Sequence, residues 1–252
     1  MIPVLLLRNG GLVKTTRFGA AAYVGDPLNA VRIFNNFRAD ELVLLDVDAT
    51  REGRTIPLEV VRSLSEEARM PISFGGGIGT IEQIRSIIAA GAERVVLGSA
   101  ALERPSFVAE AASTFGSSTI VVCMDVRREV FGRYRVTHLN GTKRTDHGPA
   151  DFGKRMEECG AGELIVQSVD RDGTMSGYDL ELVEAVSRSV TIPVVALGGA
   201  GSVDDMRKAH ESSHASAVAA GSMFVFHGSR RGVLISYPDP RTLANPGRSG
   251  GD

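Results

Sequence analysis

Thiols are scarce: the 252 residues hold two cysteines, Cys123 and Cys159, which excludes a disulfide framework and offers no metal-ligand spacing. The five histidines, His138, His147, His210, His214 and His227, are scattered without a metal-like grouping. No metal or cofactor is expected. Long apolar runs are missing too, and none approaches a membrane span. Met1 to Gly10 is apolar but short, with no basic lead and no small-residue cleavage site. A signal peptide is therefore not expected, and the cytoplasm is the expected location. Neither sign of charge dominates, since the formal net charge is −2 and no long Lys/Arg block occurs. That argues against nucleic acid or a membrane surface as the main partner. Any attraction for an anionic ligand has to be local.

What the chain does have is a duplicated glycine cluster. Pro71-Ile72-Ser73-Phe74-Gly75-Gly76-Gly77-Ile78-Gly79 returns 122 positions later as Pro193-Val194-Val195-Ala196-Leu197-Gly198-Gly199-Ala200-Gly201. Each run is apolar, ends in glycines and leads into a helical pattern, from Thr80 in the first half and from Ser202 in the second. A strand ending in glycines before a helix N-terminus leaves N–H groups free beside the positive end of a dipole, which suits a phosphate. One such run could be only a tight strand-to-helix turn; two copies suggest two phosphates. A second pair of small-residue strand ends, Gly98-Ser99-Ala100 and Gly221-Ser222, also recurs, 122 positions apart at Ala100 and Ser222. Paired loops after successive strands are a common barrel phosphate site.

Short apolar runs alternate with helical patterns throughout, the mark of a parallel sheet with crossover helices. Strands are predicted near Ile2–Leu7, Leu42–Val47, Ile72–Phe74, Arg94–Leu97, Thr119–Met124, Leu164–Ser168, Val194–Leu197 and Ala217–Ala220. Helices should start near Pro27, Ile56, Thr80, Arg104, Pro149, Asp179 and Ser202. Eight strands in a chain of this length predict an α/β fold, a single (β/α)8 barrel of two half-barrel repeats over residues 1–237. An open doubly wound sheet is the runner-up. Between about residues 126 and 147 the alternation around Asn140-Gly141 predicts an inserted hairpin. Arg230–Tyr237 could make only a short last helix, and residues 238–252, rich in Pro, Gly and Ser, are expected to be disordered.

In such a barrel the reacting groups stand at the C-terminal ends of strands. The carboxylates there are Asp46 and Asp48, then Asp125, then Asp170 and Asp172. The repeat pairs Asp48 with Asp170 and, at a slightly different offset, Arg8 with Arg127. Asp125 then faces Leu6, an acid against a hydrocarbon. Asp125 is a catalytic or substrate-binding candidate by position, against the alternative of a turn cap. Cys123, two residues earlier and on the same side of the strand, reads as a buried small thiol. Lys14 could reach a phosphate or be a solvated loop lysine. At the other rim Glu41, Arg94 and Glu163 stand immediately before or at apolar strands. The residues alone favour three solvated strand starts over a salt-bridged ring.

With these residues laid out, the chain resembles the cyclase subunit of imidazole glycerol phosphate synthase, the barrel of histidine biosynthesis that works with a glutaminase. The resemblance runs from about Pro3 to Phe226 and rests on Asp40-Glu41-Leu42-Val43, Gly75-Gly76-Gly77-Ile78, Asp170-Arg171-Asp172-Gly173-Thr174-Met175-Ser176-Gly177-Tyr178-Asp179 and Gly198-Gly199-Ala200-Gly201. It implies a substrate with a phosphate at each end. The implied substrate and phosphate contacts are Lys14, Asp46, Gly76, Gly77, Ser99, Asp172, Gly173, Thr174, Gly198, Gly199, Gly221 and Ser222. It implies a glutaminase docked on the N-terminal rim, with ammonia passing through the barrel past a charged gate that includes Glu41, Arg94 and Glu163.

The departures are as informative. The family's acid/base pair is two aspartates; Asp125 matches one, and Leu6 occupies the place of the other. Gly98, Gln167 and Leu197 replace small polar residues, the gate's arginine ahead of the first strand has no counterpart here, and the final helix is largely absent. The chain looks most like divergent paralogues of surface-polysaccharide gene clusters, where the pair is thought to supply ammonia for amidinating a sugar. The expectation is a glutaminase-coupled subunit that conducts ammonia with its cyclisation weakened or lost. Two alternatives are an active cyclase in which a group such as Asp46 replaces the missing acid, and a non-catalytic barrel that only activates the glutaminase.

Overall fold

Eight parallel strands close on themselves in the computed structural model, which describes residues 1–228 and 230–244. They are β1 (Ile2–Arg8), β2 (Leu42–Asp46), β3 (Ile72–Gly75), β4 (Arg94–Leu97), β5 (Ile120–Arg128), β6 (Glu163–Ser168), β7 (Val194–Leu197) and β8 (Ala217–Ala220). Each pairs with the next, and β8 pairs with β1 through Ile2 and Ala219, which completes the ring. The fold is a (β/α)8 barrel. Its outer layer is α1 (Pro27–Phe37), α2 (Leu58–Glu67), α3 (Ile81–Ala89), α4 (Ser99–Glu103), α5 (Pro105–Phe115), α6 (Pro149–Glu158), α7 (Leu180–Ser187) and α8 (Val203–Ser213).

Local chemistry sets the helix starts. Pro27, Pro105 and Pro149 open α1, α5 and α6, where the missing N–H has no intrahelical partner to lose. Thr80 with Gln83, and Ser202 with Asp205, form full capping boxes on α3 and α8. Strand side chains alternate between two cores. One lies between barrel and helices and includes Phe34, Phe74 and Phe224; the other fills the bore with Ile2, Val4, Val43, Val96, Val121, Ile165, Val195 and Ala219. Burial on both faces is why these strands read as continuous apolar runs.

Three regions differ from expectation. The stretch after β1 is a hairpin, with Gly11–Lys14 antiparallel to β1 and to Ala22–Gly25; strands of four residues rich in glycine carry too little alternation to be seen. The insertion has three strands where one hairpin was expected. β5 runs on to Arg128, Tyr134–His138 pairs back on it, and Lys143–Arg144 pairs with that strand. The extra reversal falls at Phe131-Gly132, both at positive φ. Finally, Arg230–Tyr237 holds no helix. Gly232–Val233 pairs with Phe226–His227, and the chain returns along the barrel until the Tyr237 hydroxyl lies 2.8 Å from the Met1 carbonyl and 2.9 Å from an Asp40 carboxylate oxygen. Of the tail expected to be disordered, Arg241–Ala244 forms one helical turn tied to α8 by an Arg207 bond to the Thr242 carbonyl; residues 245–252 lie outside the described residues. No described helix is long and apolar enough to cross a membrane.

Candidate functional site

A cavity of about 300 Å³ opens at the C-terminal ends of the strands. Asp125 on β5 and Leu6 on β1 both line it, from strands that stand four places apart in either direction around the ring. The Asp125 carboxyl has no hydrogen-bond donor among the described residues; only its backbone carbonyl is engaged, by Thr137. Burial pushes it up to about 7, with the nearby Asp172 charge adding to the rise and Arg127 opposing it. It is not a turn cap. A carboxyl of that acidity exchanges protons near neutral pH, which is what a general acid or base requires. Across from it Leu6 lies in register with Leu45 and Val13, an apolar wall that can move no proton.

Asp46 is poorly suited to fill that gap. Its side chain is buried, one oxygen accepts from the N–H groups of Asp48 and Ala49 at 3.1 Å, and the other takes the Arg54 guanidinium at 2.5 Å. Arg54 is raised above its ordinary value chiefly by that bond. Arg54 gave no signal in the sequence, because it sits in an aperiodic loop eight residues beyond its partner.

Lys14 is the opposite of a solvated loop lysine. It is 5% exposed, and its ammonium donates at 2.5 Å to the carbonyl of Val4, on the hairpin's neighbouring strand. Burial pulls it down to about 8, against the pull of the Asp172 charge. Asp172, on the loop after β6, is raised by burial, with Lys14, Thr15, the Phe18 N–H and Gln167 acting against the rise. Thr15 and Gln167 each donate to it at 3.2 Å. Burial, with Asp125 second, pushes the Cys123 thiol up, so it stays a thiol.

Of the expected anion contacts, Gly76, Gly77, Ser99, Gly221 and Ser222 line this cavity, while Gly173, Thr174, Gly198 and Gly199 do not. Gly198 and Gly199 are glycine for a packing reason: at φ +96 and +110, a side chain on either would strike the Ser168 or Gly177 carbonyl. Gly173 is pressed on Thr15 in the same way, and the Thr174 hydroxyl bonds back to the Arg171 carbonyl. The helix N-termini are also taken. Gln83 accepts from Gly79 and Thr80, and the Asp205 carboxylate accepts from Gly201 and Ser202, so a carboxylate already sits where a second anion was expected. Open to a ligand along the cavity are the N–H groups of Gly76 and Gly77, those of Ser99 and Ala100 at the start of α4, and those of Gly221 and Ser222, none with an acceptor among the described residues.

At the N-terminal rim the structure brings Glu41, Arg94 and Glu163 together. Arg94 contacts Glu41 through one nitrogen and stands 3.2 Å from Glu163 through the other, while Ser73 donates to Glu41 at 3.1 Å. Burial raises Glu163, which Arg94 opposes and Glu41 reinforces. The residues by themselves favour three solvated strand starts; the structure instead brings the three groups into one ion-paired cluster. Between it and the cavity the bore is lined by valine, isoleucine and alanine.

A closed eight-stranded barrel with a polar cavity at one rim and an ion-paired cluster at the other places the chain among the (β/α)8 barrel proteins. The profile described as "Histidine biosynthesis protein" matches residues 1–230, and the chain belongs to that family. It is 45% identical over 241 residues, 95% of this chain and 93% of the relative, to a Vibrio vulnificus (strain YJ016) protein provisionally named imidazole glycerol phosphate synthase subunit hisF3. A Pseudomonas aeruginosa protein provisionally named as subunit hisF2 is 45% identical over 243 residues, 96% and 97% of the two chains. The imidazole glycerol phosphate synthase subunit HisF of Alkaliphilus metalliredigens is 43% identical over 227 residues, 90% of each.

Proposed function

We propose that this barrel is the synthase-side subunit of a glutaminase pair, receiving ammonia at its N-terminal rim and passing it through the bore to an acceptor in the C-terminal cavity. The original cyclisation is weakened or lost. The observation that carries this reading is the pairing of Asp125 with Leu6 across the cavity. One general acid/base group contributes on the order of 10²–10⁴-fold to rate, and the nearby candidate, Asp46, is bound to Arg54. The ring of Glu41, Arg94 and Glu163 and the apolar bore behind it support a route for a small neutral molecule. Residence in a surface-polysaccharide pathway and in the cytoplasm belong to the same proposal; they rest on the resemblance to divergent paralogues.

The test is ring closure driven by free ammonia and, separately, by a glutaminase partner. Turnover with free ammonia equal to that of a family member with both aspartates would sink the reading. A bulky residue at Val43, in the bore below the cavity, should abolish glutamine-driven transfer and leave the reaction with free ammonia unchanged. If the barrel only activates the glutaminase, that block has no effect on any coupled product. A specific observation favours residual catalysis as the second reading: Asp125 remains poised near neutrality in the cavity.

A further inference from the structure

We propose that Asn140 sets the size of what the cavity admits: the turn that carries it crosses the mouth and restricts the acceptor to a small molecule free of any bulky carrier. The inference deepens the proposed function by naming the class of acceptor, and it rests on the C-terminal cavity being the acceptor site.

The Asn140-Gly141 turn joins the last two strands of the insertion, Tyr134–His138 and Lys143–Arg144. Thr137 pairs with Asp125, so the chain is back at the end of β5 just before the turn begins. From there the Asn140 side-chain amide donates at 2.8 Å to the carbonyl of Val47, just past the end of β2. β5 and β2 stand three places apart around the ring, so this bond spans the rim and does not join neighbours. Asn140 and Val47 both line the cavity, as does Phe18 of the hairpin loop after β1. A side chain at Gly141 would come within 3.4 Å of the Phe18 ring, so its absence lets the turn settle against that loop. A turn that starts at β5 and rests on the loops after β1 and β2 passes over what lies between them. Leu6, Cys123 and Asp125 lie there, on the cavity wall.

The shape of the turn is imposed by its surroundings. Leu139, Asn140 and Gly141 have φ of 51, 55 and 74, three left-handed residues in a row. Asparagine and glycine tolerate that region, whereas a leucine rarely enters it. Such backbone persists where neighbouring contacts over-determine it. Two of those contacts are local: the Thr142 hydroxyl donates to the Leu139 carbonyl at 2.7 Å, and the Arg127 guanidinium donates to the Gly141 carbonyl at 3.1 Å. The third, from Asn140 to Val47, reaches the far side. A single neutral hydrogen bond from an exposed residue opens and re-forms easily. Small molecules therefore pass when it opens, while a ligand joined to a large carrier would have to hold the turn away.

Cys123 on the cavity wall reports on access, and Cys159, at the C-terminal end of α6, is the internal control. The probes are N-ethylmaleimide and fluorescein maleimide, the same reactive ring on a small and on a bulky body, with modified peptides counted by mass spectrometry. In the unsubstituted protein N-ethylmaleimide should modify Cys123, and fluorescein maleimide should do so far more slowly once each rate is normalised to Cys159. Asn140→Asp keeps a side chain that tolerates left-handed backbone but sets an acceptor against the Val47 carbonyl; Asn140→Gly removes the side chain. Both should speed fluorescein maleimide at Cys123 by about three- to tenfold, the weight of one neutral hydrogen bond in an open–closed equilibrium, with Cys159 rates unchanged. Equal normalised rates for the two reagents in the unsubstituted protein, no labelling of Cys123 in any of the three proteins, unchanged rates in both variants, or a parallel rise at Cys159 would each overturn the proposal. If one variant fails to fold the other decides, and if neither folds the size selectivity of the unsubstituted protein decides. Glutamine-driven ammonia transfer, measured on the unsubstituted protein, separates the two readings. Its absence with size selectivity intact rejects the ammonia route alone, and transfer without size selectivity rejects this inference alone.

Discussion

Arg8 and Asp48 form a two-bond ion pair between the ends of β1 and β2, and the repeat-related Arg127 and Asp170 stand 3.6 Å apart between the ends of β5 and β6. The two half-barrels thus place an arginine–aspartate ion pair at the same corner, hydrogen-bonded in the first half and looser in the second. Both pairs tie a rim carboxylate to an arginine, whereas Asp125 and Asp172 have no ion-pair partner within 4 Å among the described residues. Asp48 is also held by Arg51 at 2.6 Å, so one buried carboxylate organises two arginines. Replacing it, as Asp48→Asn, should cost about 1–3 kcal/mol, the usual loss for a charged hydrogen-bond network whose other members reach solvent. Urea unfolding measures this, and an unchanged midpoint would show that the pair is ornamental.

Restoring the missing acid is the direct test of the altered chemistry. Leu6→Asp should raise ring closure with free ammonia by about 10²–10⁴-fold if the rest of the cavity is competent. Steady-state kinetics on the single variant and on Leu6→Asp with Asp125→Asn measure it, and the double variant should fall back to the parent level. A parent rate that does not move would show that the cavity has diverged beyond one residue.

Asp125 makes stability depend on pH in a definite direction. Its folded value, about 7, lies above the ordinary aspartate value. Between roughly pH 4 and pH 7 the folded state therefore holds more protons than the unfolded chain, so stability falls as pH rises through that window and levels off above it. Asp172, raised by burial, pushes the same way. Asp125→Asn should flatten the decline. Denaturant unfolding at several pH values would show it, and parallel curves for parent and variant would contradict the burial account.

Among the described residues Arg94 is the single counter-ion for two carboxylates at the N-terminal rim. Arg94→Met leaves Glu41 and Glu163 facing one another, and breaking such a buried set typically costs about 3–5 kcal/mol. The loss should be smaller at pH 5 than at pH 8, because Glu163, its folded value raised by burial, can then be neutralised by protonation. Thermal melts at the two pH values test this, and equal losses would mean the three groups do not share charge.

Glycine geometry predicts a contrast between two alanine variants. Gly77 has φ +66, and a side chain there would run into the Arg54 carbonyl; Gly116 has φ +87 with nothing within 4 Å. Gly116→Ala should cost about 1–3 kcal/mol, the strain of a backbone region essentially confined to glycine. Gly77→Ala should lose at least about 4 kcal/mol, in the range reserved for direct core conflict. Chemical denaturation of both variants checks the ordering.

The barrel was legible in the chain because its causes are local. Apolar runs such as Leu42–Asp46 and Val194–Leu197, capping pairs such as Thr80 with Gln83, and the 122-residue echo of the glycine clusters each act within a few residues, and all eight strands follow from them. The alternation of Leu6 and Asp125 on opposite strands was readable for the same reason. Charge and burial at the site were not. Whether Glu41, Arg94 and Glu163 met, whether Asp46 was free or tied to Arg54, and whether Gly198 faced a ligand or the Ser168 carbonyl depended on packing that no short window contains. Lys14 shows the reason most plainly: 207 positions separate it from Gly221 in the chain, and only closure of β8 onto β1 puts the amine beside that glycine and out of water.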